Sequence, residues 1–337
     1  MSFIDNLLKV MARIKKVGVL TSGGDAPGMN AAIRAVTRTA IYYGLEVVGI
    51  RHGYHGMINN HFVGMKAHSV SDVLSKGGTI LKTARSKEFM EPEGRKMAYD
   101  NLKAGGIDAV VVIGGDGTLT GARVFCDEYY DIPFVGLPGT IDNDIYGTDY
   151  TIGYDTALNT VVEAVDKIRD TAGSHNRLFF IEVMGRDAGF IALESGIACG
   201  AEAILIPEVH DQVATLKDYL EKGFKRKKSS NIIIVAEGDE SGGAFAIADA
   251  VKEDFAEYDV RVSILGHIQR GGTPSAYDRV SASRMGYAAV EALLDDQKSI
   301  LVGFRNNEID HVPFSKVIKL KKKVDPATFD MVEILSV

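Results

Sequence analysis

Cysteine is nearly absent from this chain: among 337 residues only Cys126 and Cys199 occur. Two thiols are too few for a disulfide framework or a thiolate metal site, which points to a reducing, cytoplasmic setting. Long apolar runs are missing as well. None approaches the roughly 18 residues that cross a bilayer, so no membrane partner is expected. Positive charge is in the minority, with 38 Lys and Arg against 45 Asp and Glu and a formal net charge of −7. A nucleic-acid backbone demands a basic surface, so nucleic acid is excluded as the main partner and any phosphate site must be local. "KRKKSS" (225–230) is a basic cluster, followed directly by a strand-like run. The opening "MSFIDNLLKVMARIKK" has a short apolar patch but carries Asp5 and lacks a basic n-region and a small-residue cleavage site. It reads as a leader helix or tail, not a signal peptide.

What is abundant is apolar material, 46% of the residues, enough for more than one core at this length. Strand-like runs occur at "KVGVLTS", "EVVGI", "AVVVIGG", "PFVGLPG", "LFFIEVMG", "AILIPE", "NIIIVAEG" and "VSILGH". They are continuous and not alternating, the pattern of parallel strands covered on both faces. Helical stretches such as "GMNAAIRAVTRTAIYYG" and "YDTALNTVVEAVDKIRDTAG" lie between them, each closed by a glycine. Alternation of strand and helix gives an α/β, doubly wound class, whose ligands sit at the carboxyl ends of strands. No short-period repeat or low-complexity tract interrupts the pattern.

Most of those runs end in glycines or polar residues, and several endings also deliver carboxylates. "TSGGDAPGMNAA" (21–32) sets Gly23 and Gly24 between a strand and a helix, so backbone N–H groups can approach an anion; a tight turn capped by Asp25 is the other possibility. The stretch is neither a Walker A loop nor G-x-G-x-x-G. "GGDGT" (114–118) adds one carboxylate, Asp116, to the same backbone access. That suits a Mg²⁺ ion bridging phosphates, although an Asx-turn would use the same residues. "PGTIDNDI" (138–145) brings Asp142 and Asp144, which in extended geometry would face one side, so that one could orient or bind and the other take a proton; a solvated loop would carry such a pair as well. Cations complete the set. Arg177, Arg186, Arg261, His267 and Arg270 adjoin strand-like runs, and guanidinium forks suit phosphate. Two phosphorylated species and a metal imply phosphoryl transfer.

In order along the chain, "TSGGDAPGMNAAIR", "GGDGT", "PGTIDNDI", "TIGYDTALNT", "VMGRDAG", "VAEG" and "LGHIQRGGTPSAYDR" resemble the bacterial ATP-dependent 6-phosphofructokinase family from about Lys16 to near Met331. The resemblance implies two doubly wound lobes, 16–152 with 267–316 for the nucleotide and 153–266 with 317–337 for the sugar phosphate, an active site in the cleft between them, and an N-terminal extension over 1–15. It implies transfer of the γ-phosphoryl of ATP to the 1-hydroxyl of fructose 6-phosphate, with Mg²⁺ as cofactor. Asp142 matches the general base, flanked by Thr140 and Asp144, and Asp116 the Mg²⁺ carboxylate. Gly24, Tyr54, Arg85, Ser86, Gly115, Asp116, Gly117 and Thr118 match nucleotide positions. Met184, Gly185, Arg186, Glu237, His267 and Arg270 match sugar-phosphate positions, and Arg177 and Arg261 match arginines that reach the pocket of a neighbouring subunit in a homotetramer.

Arg34, Arg38, Arg169, Glu202, Arg226 and Lys228 fall where the family binds an effector, ADP or phosphoenolpyruvate; a solvated basic face is the alternative for these cations. Ser86, Asn176 and Asp187 depart from the residues some members carry there. A pyrophosphate-dependent enzyme would be expected to carry aspartate at Gly117 and lysine at Gly139, so the two glycines imply an open nucleotide pocket and ATP as donor. A catalytically silent regulatory subunit would be expected to have lost Asp142, Asp116 or Arg186, all of which are present.

Overall fold

A computed structural model describes residues 14–172, 177–210, 230–252 and 259–335, together with 212, 213, 216, 217 and 220. Its strands are β1 (Lys16–Thr21), β2 (Glu46–Ile50), β3 (Phe62–Met65), β4 (Ala109–Gly114), β5 (Phe134–Pro138), β6 (Arg177–Val183), β7 (Ala203–Leu205), β8 (Ser230–Ala236), β9 (Asp259–Ile264), β10 (Ile300–Arg305) and β11 (Glu308–Pro313). Its helices are α1 (Met29–Tyr42), α2 (Gly53–Ile58), α3 (Pro92–Ala104), α4 (Asp116–Glu128), α5 (Tyr154–Ala172), α6 (Phe190–Cys199), α7 (Gly243–Lys252), α8 (Ala276–Leu294), α9 (Phe314–Val317) and α10 (Pro326–Leu335).

The described residues divide into two compact units. The first runs to Thr140 and adds Ile145–Asp155 and Arg270–Lys322; the second takes Ile141–Asp144, Thr156–Gln269 and the residues from Lys323 on.

In the first unit a seven-stranded sheet has the order β11-β10-β5-β4-β1-β2-β3. The inner pairs are parallel, and β11 and β3 close the two edges antiparallel. Every residue of β4 and β5 is buried, which explains their unbroken apolar runs. Side chains alternate between faces along a strand. Val110 and Val112 of β4 enter an aromatic core with Phe125, Phe134, Phe89 and Phe314, under α2, α3, α4 and α9. Val111 and Ile113 therefore face the other way, toward α1 and α8, which pack on each other and on the strands.

The second unit is built on a four-stranded sheet of order β7-β8-β6-β9, with every pair parallel. Leu178 and Phe180 of β6 and Ile233 and Val235 of β8 form its core with Ala244, Ile247 and Val251 of α7. β3, β10 and β11 have no counterpart among the runs read as strands. β3 spans four residues, and β11 is an edge strand whose polar positions face solvent, so neither shows a continuous apolar signal.

Candidate active site

Parallel pairing decides which loops meet. β5, β4 and β1 are neighbours and run the same way, so the turns after Pro138, Gly114 and Thr21 leave one edge of the sheet side by side. The ladder continues past the strand ends: Ser22 N–H donates to the Ile113 carbonyl at 3.0 Å, and Gly139 N–H to the Gly114 carbonyl at 3.0 Å. Contact between the turns is tight. A Cβ on Gly114 would stand 2.4 Å from Thr118 Oγ1 and 2.5 Å from the Ser22 carbonyl oxygen, so only glycine fits.

Gly23 and Gly24 are exposed in the first turn, and Gly23 has a φ of 83°. The N-cap of α1 is Gly28, with no side-chain cap bond, so Asp25 does not cap that helix. The guanidinium of Arg270 stands over the turn: Nη1 donates to the Asp25 carbonyl at 3.4 Å and would lie 2.7 Å from a Cβ on Gly24. Arg270, which with His267 matches the 6-phosphate pocket in the resemblance, lies against the glycine turn.

Asp116 opens α4 from an N-cap at Gly115 without a side-chain cap, and its carboxylate is exposed. A helix N-terminus presents unpaired N–H groups and a positive dipole end. Beside it, a Cβ on Gly117 would meet nothing within 4 Å. Among the described residues no group of three His, Cys, Asp or Glu could hold a metal. This donor set fits a Mg²⁺ ion held by one carboxylate and completed by phosphate oxygens and water, the usual mode for that ion.

Tyr54 is buried, stacked on Phe89 with ring centroids 3.9 Å apart at 2°, and its hydroxyl donates to the Thr118 carbonyl at 2.5 Å. Burial holds the phenol well above its ordinary pKa. Tyr54 thus braces the first turn of α4. Arg85 is exposed, and the Ser86 hydroxyl accepts from Phe89 N–H at 3.3 Å. Arg95, which the motifs did not single out, grips this segment, donating to the Phe89 and Met90 carbonyls at 3.0 and 2.7 Å and bidentately to Glu128 at 2.7 Å.

β5 leads into the segment Gly139–Asp144. Thr151 donates its hydroxyl to the Thr140 carbonyl at 2.6 Å, Ile152 N–H donates to the Pro138 carbonyl at 2.8 Å, and Gly153 N–H to Asp278 Oδ1 at 2.7 Å. The expectation that Asp142 and Asp144 share a face of an extended strand is corrected here. Asn143 between them has a φ of 53°, a left-handed conformation that breaks the alternation. Asp142 is buried and Asp144 half-buried. Gly139 also differs from expectation. A Cβ there would press on Ile113 Cγ2 at 2.9 Å and Met29 Cε at 3.0 Å, so its space belongs to the core, while Gly117 alone of the pair has an open side.

In the second unit β8, β6 and β9 are adjacent and parallel, so the endings after Ala236, Val183 and Ile264 also share an edge. Met184 is buried, and its N–H donates to Gln269 Oε1 at 3.1 Å; Gln269, fully buried, was not singled out in the sequence. Arg186 holds a left-handed φ of 59°, and its N–H donates to Glu237 Oε1 at 2.8 Å. The turn is possible because Gly185 has a φ of 148° and because a Cβ on Gly238 would stand 1.9 Å from the Arg186 carbonyl oxygen. A non-glycine residue held there is the kind of local strain found at functional sites. The side chains of Arg186, Glu237 and His267 are exposed. Arg177 and Arg261 lie at β6 and β9, both on Asp259.

Arg34 and Arg38 lie one turn apart on α1, where burial and the like charge of Arg38 lower the pKa of Arg34. In the second unit Arg169 Nη2 donates to the Cys199 carbonyl at 2.7 Å, at the C-terminus of α6, and Glu202 accepts from Ile232 N–H at 2.6 Å. Arg226, Lys228 and most of the 1–15 extension lie outside the described residues. No helix among the described residues is long and apolar enough to cross a membrane.

Residues 16–293 match the family model described as phosphofructokinase. The chain is 59% identical to ATP-dependent 6-phosphofructokinase 2 of Bacteroides thetaiotaomicron, over 96% of this chain and 98% of that one. It is 52% identical to ATP-dependent 6-phosphofructokinase 1 of Thermus thermophilus, over 96% and 100%. Among solved structures, phosphofructokinase from Saccharomyces cerevisiae superposes with a TM-score of 0.84 at 42% identity, over 90% of this chain, which spans 45% of the yeast one. A pyrophosphate-dependent phosphofructokinase from Marinobacter aquaeolei gives a TM-score of 0.82 at 23% identity, over 93% and 86%, a likeness of fold.

Proposed function

The chain belongs to the phosphofructokinase family, and from that premise we propose that it transfers the γ-phosphoryl group of ATP to the 1-hydroxyl of D-fructose 6-phosphate, giving fructose 1,6-bisphosphate and ADP. One observation carries the reading: three adjacent parallel strands deliver to one edge two glycine turns, a helix N-terminus with an exposed Asp116, and the segment bearing the buried Asp142.

Phosphoryl transfer asks a protein mainly for positioning and charge stabilisation. The polyphosphate of ATP lies on the backbone of Gly24, Gly115, Gly117 and Thr118, with Arg85 and Ser86 alongside and Tyr54 bracing the turn. Asp116 would hold Mg²⁺, and the ion when bound would supply neutralisation of the charge that develops as the phosphoryl group is transferred. Asp142 takes the proton of the 1-hydroxyl as that oxygen attacks, and Thr140 and Asp144 orient the sugar. Met184, Gly185 and Arg186 bind the substrate, and Glu237 accepts from sugar hydroxyls. His267, Arg270, Arg177 and Arg261 serve the 6-phosphate, the last two across a subunit contact of a homotetramer. Arg34, Arg38, Arg169, Glu202, Arg226 and Lys228 form the ADP or phosphoenolpyruvate site, and the enzyme works in the cytoplasm.

The open side of Gly117 supports ATP as donor, and the presence of Asp116, Asp142 and Arg186 supports turnover over a silent sensor. A coupled assay of fructose 1,6-bisphosphate formation tests both. Turnover is expected with ATP and Mg²⁺. Turnover with pyrophosphate in place of ATP would overturn the donor, and none with either would leave only binding.

A further inference from the structure

Asp259 is the first residue of β9, an edge strand, and stands in register with Arg177, the first residue of β6. Arg261 follows two residues later on the same face of β9. One carboxylate oxygen serves both cations: Asp259 Oδ2 accepts from Arg177 Nε at 3.2 Å and from Arg261 Nε and Nη2 at 3.2 and 2.9 Å. Arg177 also donates from Nη1 to Thr171 Oγ1 at 3.4 Å. No sequence motif drew attention to Asp259.

The geometry of Arg261 is informative. Its Nε and Nη2 form the fork with which a guanidinium grips a phosphate bidentately. Here the whole fork faces a carboxylate of its own strand. A phosphate cannot take the same fork until that carboxylate leaves. We propose that Asp259 is an internal stand-in for the substrate phosphate: it holds Arg177 and Arg261 together, and the 6-phosphate of the sugar must displace it in order to bind. The inference rests on the assignment of these two arginines to the sugar phosphate, and it adds a specificity filter to that site. A dianionic phosphate competes for two guanidiniums better than one carboxylate can, whereas an uncharged sugar or a weak monoanion leaves the stand-in where it is.

The burial of the groups decides the size of the effect. In the single chain Asp259 and Arg261 are exposed, and the Arg261 and Arg177 guanidiniums keep the Asp259 carboxyl below its ordinary pKa. Exposed charge pairs couple weakly and are screened by salt, so the stand-in costs the substrate about two- to tenfold in affinity at low ionic strength.

The test is steady-state kinetics of Asp259→Asn in the full chain, with fructose 6-phosphate varied at saturating ATP, at low and high salt. KM for the sugar phosphate is expected to fall about two- to tenfold at low salt with kcat within twofold, the gain shrinking as salt rises. Asp259→Glu, which restores the charge, is expected to return KM toward the parent value. A KM that is unchanged or higher in Asp259→Asn, with thermal unfolding unaltered, overturns the stand-in and makes Asp259 a support for the arginines. Arg177→Ala and Arg261→Ala test the underlying assignment separately. If neither raises KM for fructose 6-phosphate, these arginines do not serve the sugar phosphate, whatever Asp259→Asn does.

Discussion

Gly117 and Gly139 invite opposite expectations once their surroundings are known. Gly117 is the second residue of α4, and a Cβ there meets nothing within 4 Å. In Gly117→Asp the new carboxylate occupies open space in a first helical turn, where an acidic residue interacts favourably with the helix dipole by about 0.3–1 kcal/mol, partly offset by repulsion from Asp116. Stability should therefore stay within about 1 kcal/mol, or a few degrees in Tm at about 2–4 °C per kcal/mol for domains of this size. Activity should not. A carboxylate about 5 Å from a phosphate charge, at an effective dielectric constant near 20, opposes it by about 3 kcal/mol, or about 10²-fold in kcat/KM for ATP. Binding of fructose 6-phosphate by calorimetry should remain near normal. Gly139→Lys is the contrasting variant, because its Cβ would collide with Ile113 and Met29 at 2.9 and 3.0 Å. Overpacking of that kind costs about 1–3 kcal/mol, so Tm should fall measurably and activity fall with it. Parallel thermal unfolding and ATP kinetics separate the two. Unchanged ATP kinetics in a well-folded Gly117→Asp would show that the turn does not face the nucleotide; a large loss of Tm there would refute the open side.

Three further outcomes are expected. Asp142→Asn keeps the shape of the buried side chain but removes its basicity, so kcat should fall about 10²–10⁴-fold with little change in KM for the sugar phosphate; a kcat within threefold of the parent would sink the assignment. Tyr54→Phe leaves the Thr118 carbonyl without its 2.5 Å donor and should cost about 1 kcal/mol. Tyr54→Ala also empties the stack on Phe89 and should cost about 3–5 kcal/mol by denaturant unfolding, and equal losses would argue against the brace. Arg34→Ala should abolish a kinetic response to ADP or phosphoenolpyruvate worth about 1–3 kcal/mol of coupling while leaving basal turnover intact, and a parent enzyme that ignores both ligands would return Arg34 and Arg38 to an ordinary solvated face.

Unbroken apolar runs and the glycines that end them were legible in the amino-acid sequence, because a strand buried on both faces must be apolar throughout and a backbone that approaches an anion cannot carry side chains. They determined the α/β class, the strands β1, β2, β4, β5, β6 and β8 inside the two sheets, the edge strands β7 and β9, and the turns that carry Gly24, Asp116, Asp142 and Arg186. The same logic hid β3 and β11, whose short or half-solvated edges carry no continuous run. Side-chain alternation also misled at Asp142 and Asp144, because it holds only for an extended chain and Asn143 turns left-handed. What the tertiary structure alone decided is which distant residues meet. The order β5-β4-β1 brings the turn after Thr21 beside those after Gly114 and Pro138, far along the chain. Packing against Ile113 and Met29 gives Gly139 to the core, while Gly117 keeps an open side. Strand register sets Asp259 against Arg177, and a close approach sets Arg270 over Gly24. Each depends on pairing between segments far apart in sequence, and no local propensity encodes a partner that the chain meets only after folding.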